Sequence, residues 1–143
     1  RFLRFIEQPF PRKSDIPVME ISRQVPIFAD ESYAMHTDIQ KLYKLGYAGV
    51  SLKPHTKTFS GTLLALEELK KRKMRYSVMD LTTAPPIGYR VGIMTARYLR
   101  SIVPPESNGK QYYSNWKSLY AEEARGGDRL GWGVTADSFY RWL

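Results

Sequence analysis

FIEQPF at residues 5–10 is the first of three stretches that decide the fold of this chain, and the others are FADES at 28–32 and SLKP at 51–54. Each contains an apolar run followed by a residue that can bind a metal ion or move a proton: Glu7, Asp30 and Lys53. These three residues are spaced at an equal interval of 23 positions. That interval suits a strand, a loop, a helix and a return loop. The spacing therefore predicts βα units whose strand ends converge on one site, as in parallel α/β folds.

The same rhythm continues after Lys53, because VMD ends at Asp80 and IVPPE ends at Glu106. Strands that alternate with helices predict an α/β fold with a parallel sheet. Strand ends without a sign of reversal favour an arc of a (β/α) barrel, and an open sheet is the alternative. We predict that residues 1–108 form this partial barrel and that residues 109–143 form a C-terminal tail.

Apolar runs predict the strands, and apolar residues at helical spacing predict the helices between them. The predicted strands cover residues 2–6, 25–31, 47–52, 76–80 and 102–103. The residues predicted to cap three helices are Ser14, Thr37 or Asp38, and Ser60. Gly46 is predicted to end the second of these helices. The predicted buried faces contain Val18 and Ile21; Ile39, Leu42 and Leu45; Leu63, Leu66 and Leu69; and Val91, Met94 and Tyr98.

Length and composition indicate an ordinary globular domain. The chain has 143 residues, of which 43% are hydrophobic and 25% charged, as in typical globular domains. It contains no cysteine, which excludes a disulfide framework and a thiolate metal site. The sequence has no long apolar run and no signal-peptide pattern, so we expect no membrane partner and a cytoplasmic location. Because it begins at Arg1 rather than at methionine, we expect it to be part of a longer chain.

The net charge of +8 permits an anionic partner. The densest cationic run is KKRKMR at residues 70–75, at the end of a predicted helix, where cations suit the negative end of the helix dipole. No aromatic interleaving or nucleic-acid motif accompanies it. We therefore interpret the run as a solvated helix end and expect no nucleic-acid partner.

The candidate site residues have both functional and structural interpretations. Glu7 and Asp30 are hard oxygen ligands suited to Mg²⁺, although a carboxylate at a strand end can instead cap a helix or pair with arginine. Alternation along the strand directs Glu31 away from the side on which Asp30 lies. This predicts that Glu31 supports the metal ligands and is not itself a ligand. Lys53 ends an apolar strand, where a nearby cation would lower its pKa and make it a usable base. The structural alternative is that Lys53 is simply exposed to solvent or ion-paired.

The remaining polar residues give weaker signals. Asp80 and Glu106 are candidates for contacting substrate or supporting the base, and Asp80 is also a plausible cap for the next turn. His55 is a candidate substrate contact or a surface histidine, and His36 is interpreted as loop packing. The sequence contains no phosphate-binding glycine loop, HExxH motif or Ser/His/Asp order. The aromatic residues of the tail are interpreted as packing or docking residues.

Three motifs in order resemble the enolase superfamily, in the mandelate racemase and muconate-lactonising branch. Glu-Gln-Pro at 7–9 resembles the motif of the fourth barrel strand, Asp-Glu-Ser at 30–32 that of the fifth, and Leu-Lys-Pro at 52–54 that of the sixth. The resemblance implies that residues 1–108 are approximately strands four to eight of a (β/α)₇β barrel. The segment GWGVTADSFYRWL resembles the C-terminal stretch that returns toward the capping domain of these enzymes.

The resemblance also implies an activity. A bound Mg²⁺ (or Mn²⁺) would hold a small-molecule carboxylate substrate, and a lysine would remove the proton alpha to that carboxylate. Carried over by motif, Glu7 and Asp30 become metal ligands and Lys53 becomes the base or an electrophilic partner. The reaction would be that of a racemase or epimerase, a dehydratase or a cycloisomerase, and a homo-oligomer is a possible assembly.

The chain also departs from the family pattern. The first metal-binding aspartate, the Lys-x-Lys motif and most of the capping domain would all precede Arg1, so the resemblance implies half a site and weak metal binding. PHTKTFSGT stands where a Gly-Gly often follows the sixth-strand lysine, and no Asp-x-Asp lies near Glu106. The alternative function is an inactive truncated barrel that binds a partner through its edge strand at residues 2–6.

Overall fold

A computed structural model gives the architecture of this chain. It describes residues 3–79, 91–92, 94–95, 97–103, 112–115 and 118, and the backbone of 132–134 and 140–142. The chain divides into two compact units. The first comprises Arg1–Leu52 and Lys57–Ser77, and the second comprises Lys53–Thr56 and Val78–Leu143.

Four short strands form one sheet. They are β1 (Ile6–Glu7), β2 (Ile27–Ala29), β3 (Gly49–Leu52) and β4 (Arg75–Val78), and they lie in that order in the sheet. β1 pairs with β2 and β2 with β3, both in parallel. The predicted α/β fold with a parallel sheet is therefore confirmed. The strands are shorter than predicted, and β1 contains only the last of the predicted residues 2–6 followed by Glu7.

Helices separate the strands along the chain. They are α1 (Met19–Gln24), a 3₁₀ turn (His36–Asp38) continuing into α2 (Ile39–Leu45), and α3 (Phe59–Lys71). Every residue of β2 and β3 is buried, as expected for parallel strands covered on both faces. Within the described residues, no helix is long and apolar enough to cross a membrane.

Gly46 ends α2 as predicted. Its φ of 92° lies in the left-handed region, which glycine enters without steric cost. A Cβ at this position would also lie 2.5 Å from the backbone Cα of Met19. Gly46 therefore serves two purposes, because it terminates α2 and lets the start of α1 approach closely.

The predicted start of the first helix is wrong. α1 begins at Met19 with Val18 as its N-cap residue, whereas the hydroxyl of Ser14 accepts a hydrogen bond from the backbone of Ile16 at 3.3 Å. Pro17 biases the residue before it away from helical geometry, so the helix starts after the proline. Val18 is buried as predicted, but Ile21 is exposed.

The cap and buried face of α3 also differ from prediction. Thr58, not Ser60, is the N-cap, and its hydroxyl accepts a hydrogen bond from Gly61 N at 3.1 Å. Ser60 lies inside the helix. The buried residues are Thr62, Ala65 and Leu69, whereas Leu63 is 48% exposed. α3 packs against α2 and the 3₁₀ turn, and small side chains on the inner face allow that approach.

The residues after β4 belong to the second unit. Helical backbone occurs at 91–92, 94–95 and 97–98. Thr95 within it and Leu99 just after it are buried. The predicted buried face of Val91, Met94 and Tyr98 is wrong, because Met94 and Tyr98 are exposed. Residues 102–103 form a bend, not the predicted strand. In the same unit, the Ser101 hydroxyl accepts a hydrogen bond from Val78 N at 3.1 Å.

Two short strands near the C-terminus form an antiparallel ribbon. β5 (Trp132–Val134) pairs with β6 (Tyr140–Trp142), with Gly133 opposite Arg141. The predicted division into a partial barrel at 1–108 and a tail at 109–143 stays a prediction. The predicted boundary between residues 108 and 109 lies outside the described residues.

Candidate active site

The strand register places Glu7 and Asp30 at one edge of the sheet. Glu7 pairs with Phe28, and Phe28 pairs with Gly49. Asp30 follows the last residue of β2 directly. Because parallel strands end at the same edge, the two candidate carboxylates lie on neighbouring strand ends, as the sequence predicted. Both residues are partly buried.

A line of hydrogen bonds runs from Glu7 across the sheet. The Ser51 hydroxyl donates to a carboxylate oxygen of Glu7, and the hydroxyl oxygens of Ser51 and Ser77 lie 3.0 Å apart. Both serines are completely buried. Since Ser51 has a single proton and donates it to Glu7, Ser77 must be the donor to Ser51. The buried serines therefore hold the Glu7 carboxylate in one orientation.

Two aromatic rings lie next to this polar line, since Phe5 comes two residues before Glu7 and Phe28 is the register partner of Glu7. The rings of Phe5 and Phe28 stack with their centroids 4.4 Å apart. A Cβ at Gly49 would lie 2.5 Å from the Phe28 ring, so only glycine leaves room for the ring at that position. Since paired residues share a sheet face, Phe28 lies on the face that carries Glu7 and Ser51, beside Glu7.

Gln8 links the loops that follow β1 and β2. Its side-chain oxygen accepts hydrogen bonds from Asp30 N at 2.9 Å and Ser32 N at 3.1 Å. Its side-chain nitrogen donates to Phe10 O at 2.6 Å and to the Ser32 hydroxyl at 2.9 Å. The two strand-end loops are thus joined through one carboxamide.

Lys53 and His55 lie in the loop after β3. Lys53 follows Leu52 directly, and its carbonyl oxygen accepts a hydrogen bond from Thr56 N at 3.1 Å. Lys53 and His55 are each partly buried. The structure assigns this segment to the second unit, so its role beside Glu7 and Asp30 stays a prediction.

The other candidate residues have separate outcomes. Glu31 is exposed in the turn after β2, and His36 begins the 3₁₀ turn. Asp80 and Glu106 lie outside the described residues. In the part of the chain that the structure describes, no group of three or more His, Asp or Glu residues is arranged to hold a metal ion. Glu7 and Asp30 are therefore a pair of potential ligands.

Tyr33 and Lys57 form a second contact near the strand ends. The Lys57 ammonium lies 3.9 Å from the centroid of the Tyr33 ring and donates to the Tyr33 carbonyl oxygen. Burial, followed by the charge of Asp38, raises the pKa of Tyr33 to about 12. The Asp38 carboxylate accepts hydrogen bonds from Ala34 N and Met35 N, each at 2.9 Å. Asp38 thus organises the turn before α2.

The cationic run at 70–75 lies at the end of α3, as predicted. Glu68 pairs with Lys71 at 2.6 Å and with Arg72 at 2.5 Å. Hydrogen bonds from these two cations lower the pKa of Glu68. Two of the cations therefore have a partner on their own helix. The expectation of no nucleic-acid partner stays a prediction.

Sequence reasoning missed Gln8, Ser51 and Ser77 as parts of this site. A signal was present for the serines, because each interrupts an apolar run, GVSL or YSVM, at a position where alternation puts it on one face. Gln8 gave no such signal. In the sequence it is only the middle residue of Glu-Gln-Pro at 7–9.

Comparison with known proteins supports the fold. No protein-family model matches this chain, and no curated protein matches it significantly. Solved structures do match. An enolase family member from Agrobacterium tumefaciens with homology to dipeptide epimerases, solved with sodium and L-Ala-L-Glu, covers 98% of this chain at a TM-score of 0.67 and 18% identity.

Two further structures show the same architecture. A probable mandelate racemase from Alicyclobacillus acidocaldarius covers 79% of this chain with a TM-score of 0.66 and 22% identity. A dipeptide epimerase from Cytophaga hutchinsonii, complexed with Mg and D-Ala-L-Val, also covers 79%, with a TM-score of 0.62 and 16% identity. The chain spans 38%, 30% and 32% of the lengths of these three proteins, respectively. Its fold is therefore that of a part of mandelate racemase-like and enolase family proteins.

Proposed function

We propose that this chain forms part of a metal-dependent enzyme that removes the proton alpha to a carboxylate group. The observation that carries the proposal is the parallel pairing of β1, β2 and β3. It puts Glu7 and Asp30 at neighbouring strand ends, and Lys53 follows the third strand directly. The reaction class is that of a racemase or epimerase, a dehydratase or a cycloisomerase.

The two carboxylates fit a role in holding Mg²⁺ or Mn²⁺. Mg²⁺ in proteins is commonly held by one or two carboxylates together with water and substrate oxygens. Glu7 is oriented by a donated hydrogen bond from Ser51, as expected for a carboxylate that must keep one geometry. A bound divalent cation would supply positive charge where the substrate carboxylate sits. Glu7 and Asp30 are the residues of this chain that would hold it.

Lys53 is the proposed base. In its neutral form the Lys53 amine would accept the alpha proton at Nζ, while a substrate carboxylate is held near Glu7 and Asp30. Such positioned proton transfer typically accelerates reactions by about 10²- to 10⁴-fold. We assign supporting or substrate-contacting roles to Glu31, His55, Asp80 and Glu106.

We also infer that the four strands β1 to β4 are an arc of a (β/α) barrel, within approximately strands four to eight. The stacked Phe5 and Phe28, which share a sheet face with Glu7 and Ser51, support this inference. Barrel interiors are filled by side chains that project from one face of the sheet, and their active sites lie at the carboxyl ends of the strands. Residues 1–108 would contribute this arc, and 109–143 the tail.

The test is alpha-proton exchange in the intact natural protein with Mg²⁺ present. Candidate substrates are L-Ala-L-Glu, D-Ala-L-Val and mandelate, chosen from the structurally similar proteins, and incorporation of deuterium from D₂O is followed by proton NMR. We expect Lys53→Ala to slow exchange by about 10²- to 10⁴-fold. The matched control is Lys44→Ala, which removes an exposed lysine of α2. Unchanged exchange in Lys53→Ala would show that the base is assigned wrongly.

A second candidate function is binding of a partner at the sheet edge. β1 is the terminal strand in the sheet order, and Leu3 next to it is 54% exposed. Edge strands present unpaired backbone groups to other chains. Light scattering across a concentration series discriminates the two candidates, because a monomer at all concentrations argues against assembly through this edge.

A further inference from the structure

Gln8 has an unusual combination of backbone and side-chain constraints. It is a non-glycine residue with a φ of 41°, in the left-handed region. Such conformations persist where the surrounding structure holds them in place, and they concentrate at functional sites. Its backbone N–H remains in the sheet ladder and donates to Phe28 O at 2.9 Å. The residue is therefore anchored to β2 through both its backbone and its side chain.

The carboxamide of Gln8 uses its whole hydrogen-bonding capacity. The oxygen accepts from two backbone N–H groups, those of Asp30 and Ser32. The nitrogen donates both protons, to Phe10 O and the Ser32 hydroxyl. An amide oxygen has two acceptor sites and an amide nitrogen two donors. This saturation leaves the side chain a single orientation, since the reversed amide would aim N–H groups at two N–H donors.

These bonds bind Asp30 to the strand that carries Glu7. Glu7 is the residue before Gln8, and the Asp30 amide is fixed directly by the Gln8 oxygen. Ser32 extends the link, because its hydroxyl also donates to Arg12 O at 2.9 Å. The loops after β1 and β2 are thus connected by three hydrogen bonds of the Gln8 side chain and by the bond from Ser32 to Arg12 O.

We propose that Gln8 is a positioning residue that sets the separation of the Glu7 and Asp30 carboxylates so that both reach one divalent cation. This inference rests on the proposed function. Gln8 does not act as a ligand, because each polar atom of its side chain already has a protein partner. Its effect is transmitted through the backbone of Asp30.

The experiment measures Mn²⁺ affinity in the intact protein. The concentration of free Mn²⁺ is determined by electron paramagnetic resonance during a titration. Gln8→Met keeps the length of the side chain and removes all four hydrogen bonds. We expect the Mn²⁺ dissociation constant to rise by about 10- to 100-fold, the usual consequence of losing a group that orients metal ligands. Gln40→Met, the same change at an exposed position of α2, should leave the constant unchanged.

Two further measurements separate positioning from stability. A merely structural role would lower the unfolding midpoint of the metal-free protein while the folded fraction kept its Mn²⁺ affinity. If Gln8→Met does not fold, Gln8→Asn is the substitute, since it keeps the polar groups but is one methylene too short to reach all four partners. Its Mn²⁺ affinity should fall in the same direction by a smaller factor.

The outcomes also distinguish this inference from the proposed function. If the wild-type protein binds Mn²⁺ and the folded Gln8 variants bind it equally well, the positioning role is wrong and the proposed metal site stands. If the wild-type protein binds no Mn²⁺, the metal site itself is wrong and the inference fails with it.

Discussion

The hydroxyl of Ser51 donates to the Glu7 carboxylate, although β2 lies between the strands that carry these two residues. The reach across β2 is possible because Glu7 and Ser51 project from one face of the sheet, over the strand between them. Ser77 completes the line from β4. A buried polar line of this kind orients a carboxylate, whereas an all-apolar face would provide no hydrogen bond to select one rotamer of the side chain.

Ser51→Ala should destabilise the protein. The substitution removes the donor to Glu7 and the partner of Ser77, and such buried losses cost about 1–3 kcal/mol. Urea denaturation followed by circular dichroism measures the change in unfolding free energy. Ser60→Ala is the control, because Ser60 is exposed within α3 and surface changes typically stay within about 0.5 kcal/mol. Equal stability of the two variants would contradict a role for the polar line.

Gly49→Ala should destabilise by overpacking. The new methyl carbon would lie 2.5 Å from the Arg75 carbonyl oxygen and 2.5 Å from the Phe28 ring. The carbonyl belongs to β4 and cannot move without disturbing that strand. We expect a loss of about 1–3 kcal/mol in unfolding free energy, measured by urea denaturation.

Gly61→Ala is the matched control for this substitution. Its methyl carbon would lie 3.3 Å from the Thr58 hydroxyl, and alanine favours a helix interior over glycine by about 0.5–1 kcal/mol. Gly61→Ala should therefore be close to neutral. A Gly49→Ala protein as stable as Gly61→Ala would show that the Phe28 ring does not need the space.

Tyr33 should make stability sensitive to alkaline pH. Its pKa is raised from 10.0 to about 12 in the folded protein, so the folded state favours the neutral phenol. The stabilising contribution is complete below pH 10 and is lost as the pH rises through about 12. Unfolding free energy measured from pH 9 to 12 should fall less steeply in Tyr33→Phe than in the wild type. Identical slopes would mean that Tyr33 titrates at its ordinary pKa.

Substitution of Asp30 and of the exposed Glu67 should affect the response to a divalent cation differently. A ligand that binds only the folded state raises its stability with concentration. Mg²⁺ should therefore raise the unfolding temperature of the wild type, and EDTA should reverse the effect. Asp30→Asn should abolish this response, whereas Glu67→Gln, which changes an exposed carboxylate of α3, should keep it. A response of equal size in both variants would remove Asp30 from the ligand set.

Local sequence determined the helix stop at Gly46, but local signals did not settle the helix starts. Ser60 and Thr58 both carry hydroxyl groups near the start of α3, and the choice of Thr58 follows from the path of the chain into the helix. The buried face of α3 was likewise decided by its neighbours, since Thr62 and Ala65 suit a close approach better than Leu63. These are packing decisions between elements, which periodicity alone does not contain.

By itself, the sequence determined the alternation of β1 to β4 with the helices and the position of Glu7 and Asp30 at strand ends, because the βα repeat is a pattern of neighbouring residues. Only the tertiary structure decided what holds those carboxylates. Gln8 reaches Asp30 across 22 positions, Ser51 reaches Glu7 across 44, and Ser51 lies 26 positions from Ser77. Hydrogen bonds over such separations exist only once the strand register is formed, since the register is what brings their donors and acceptors together.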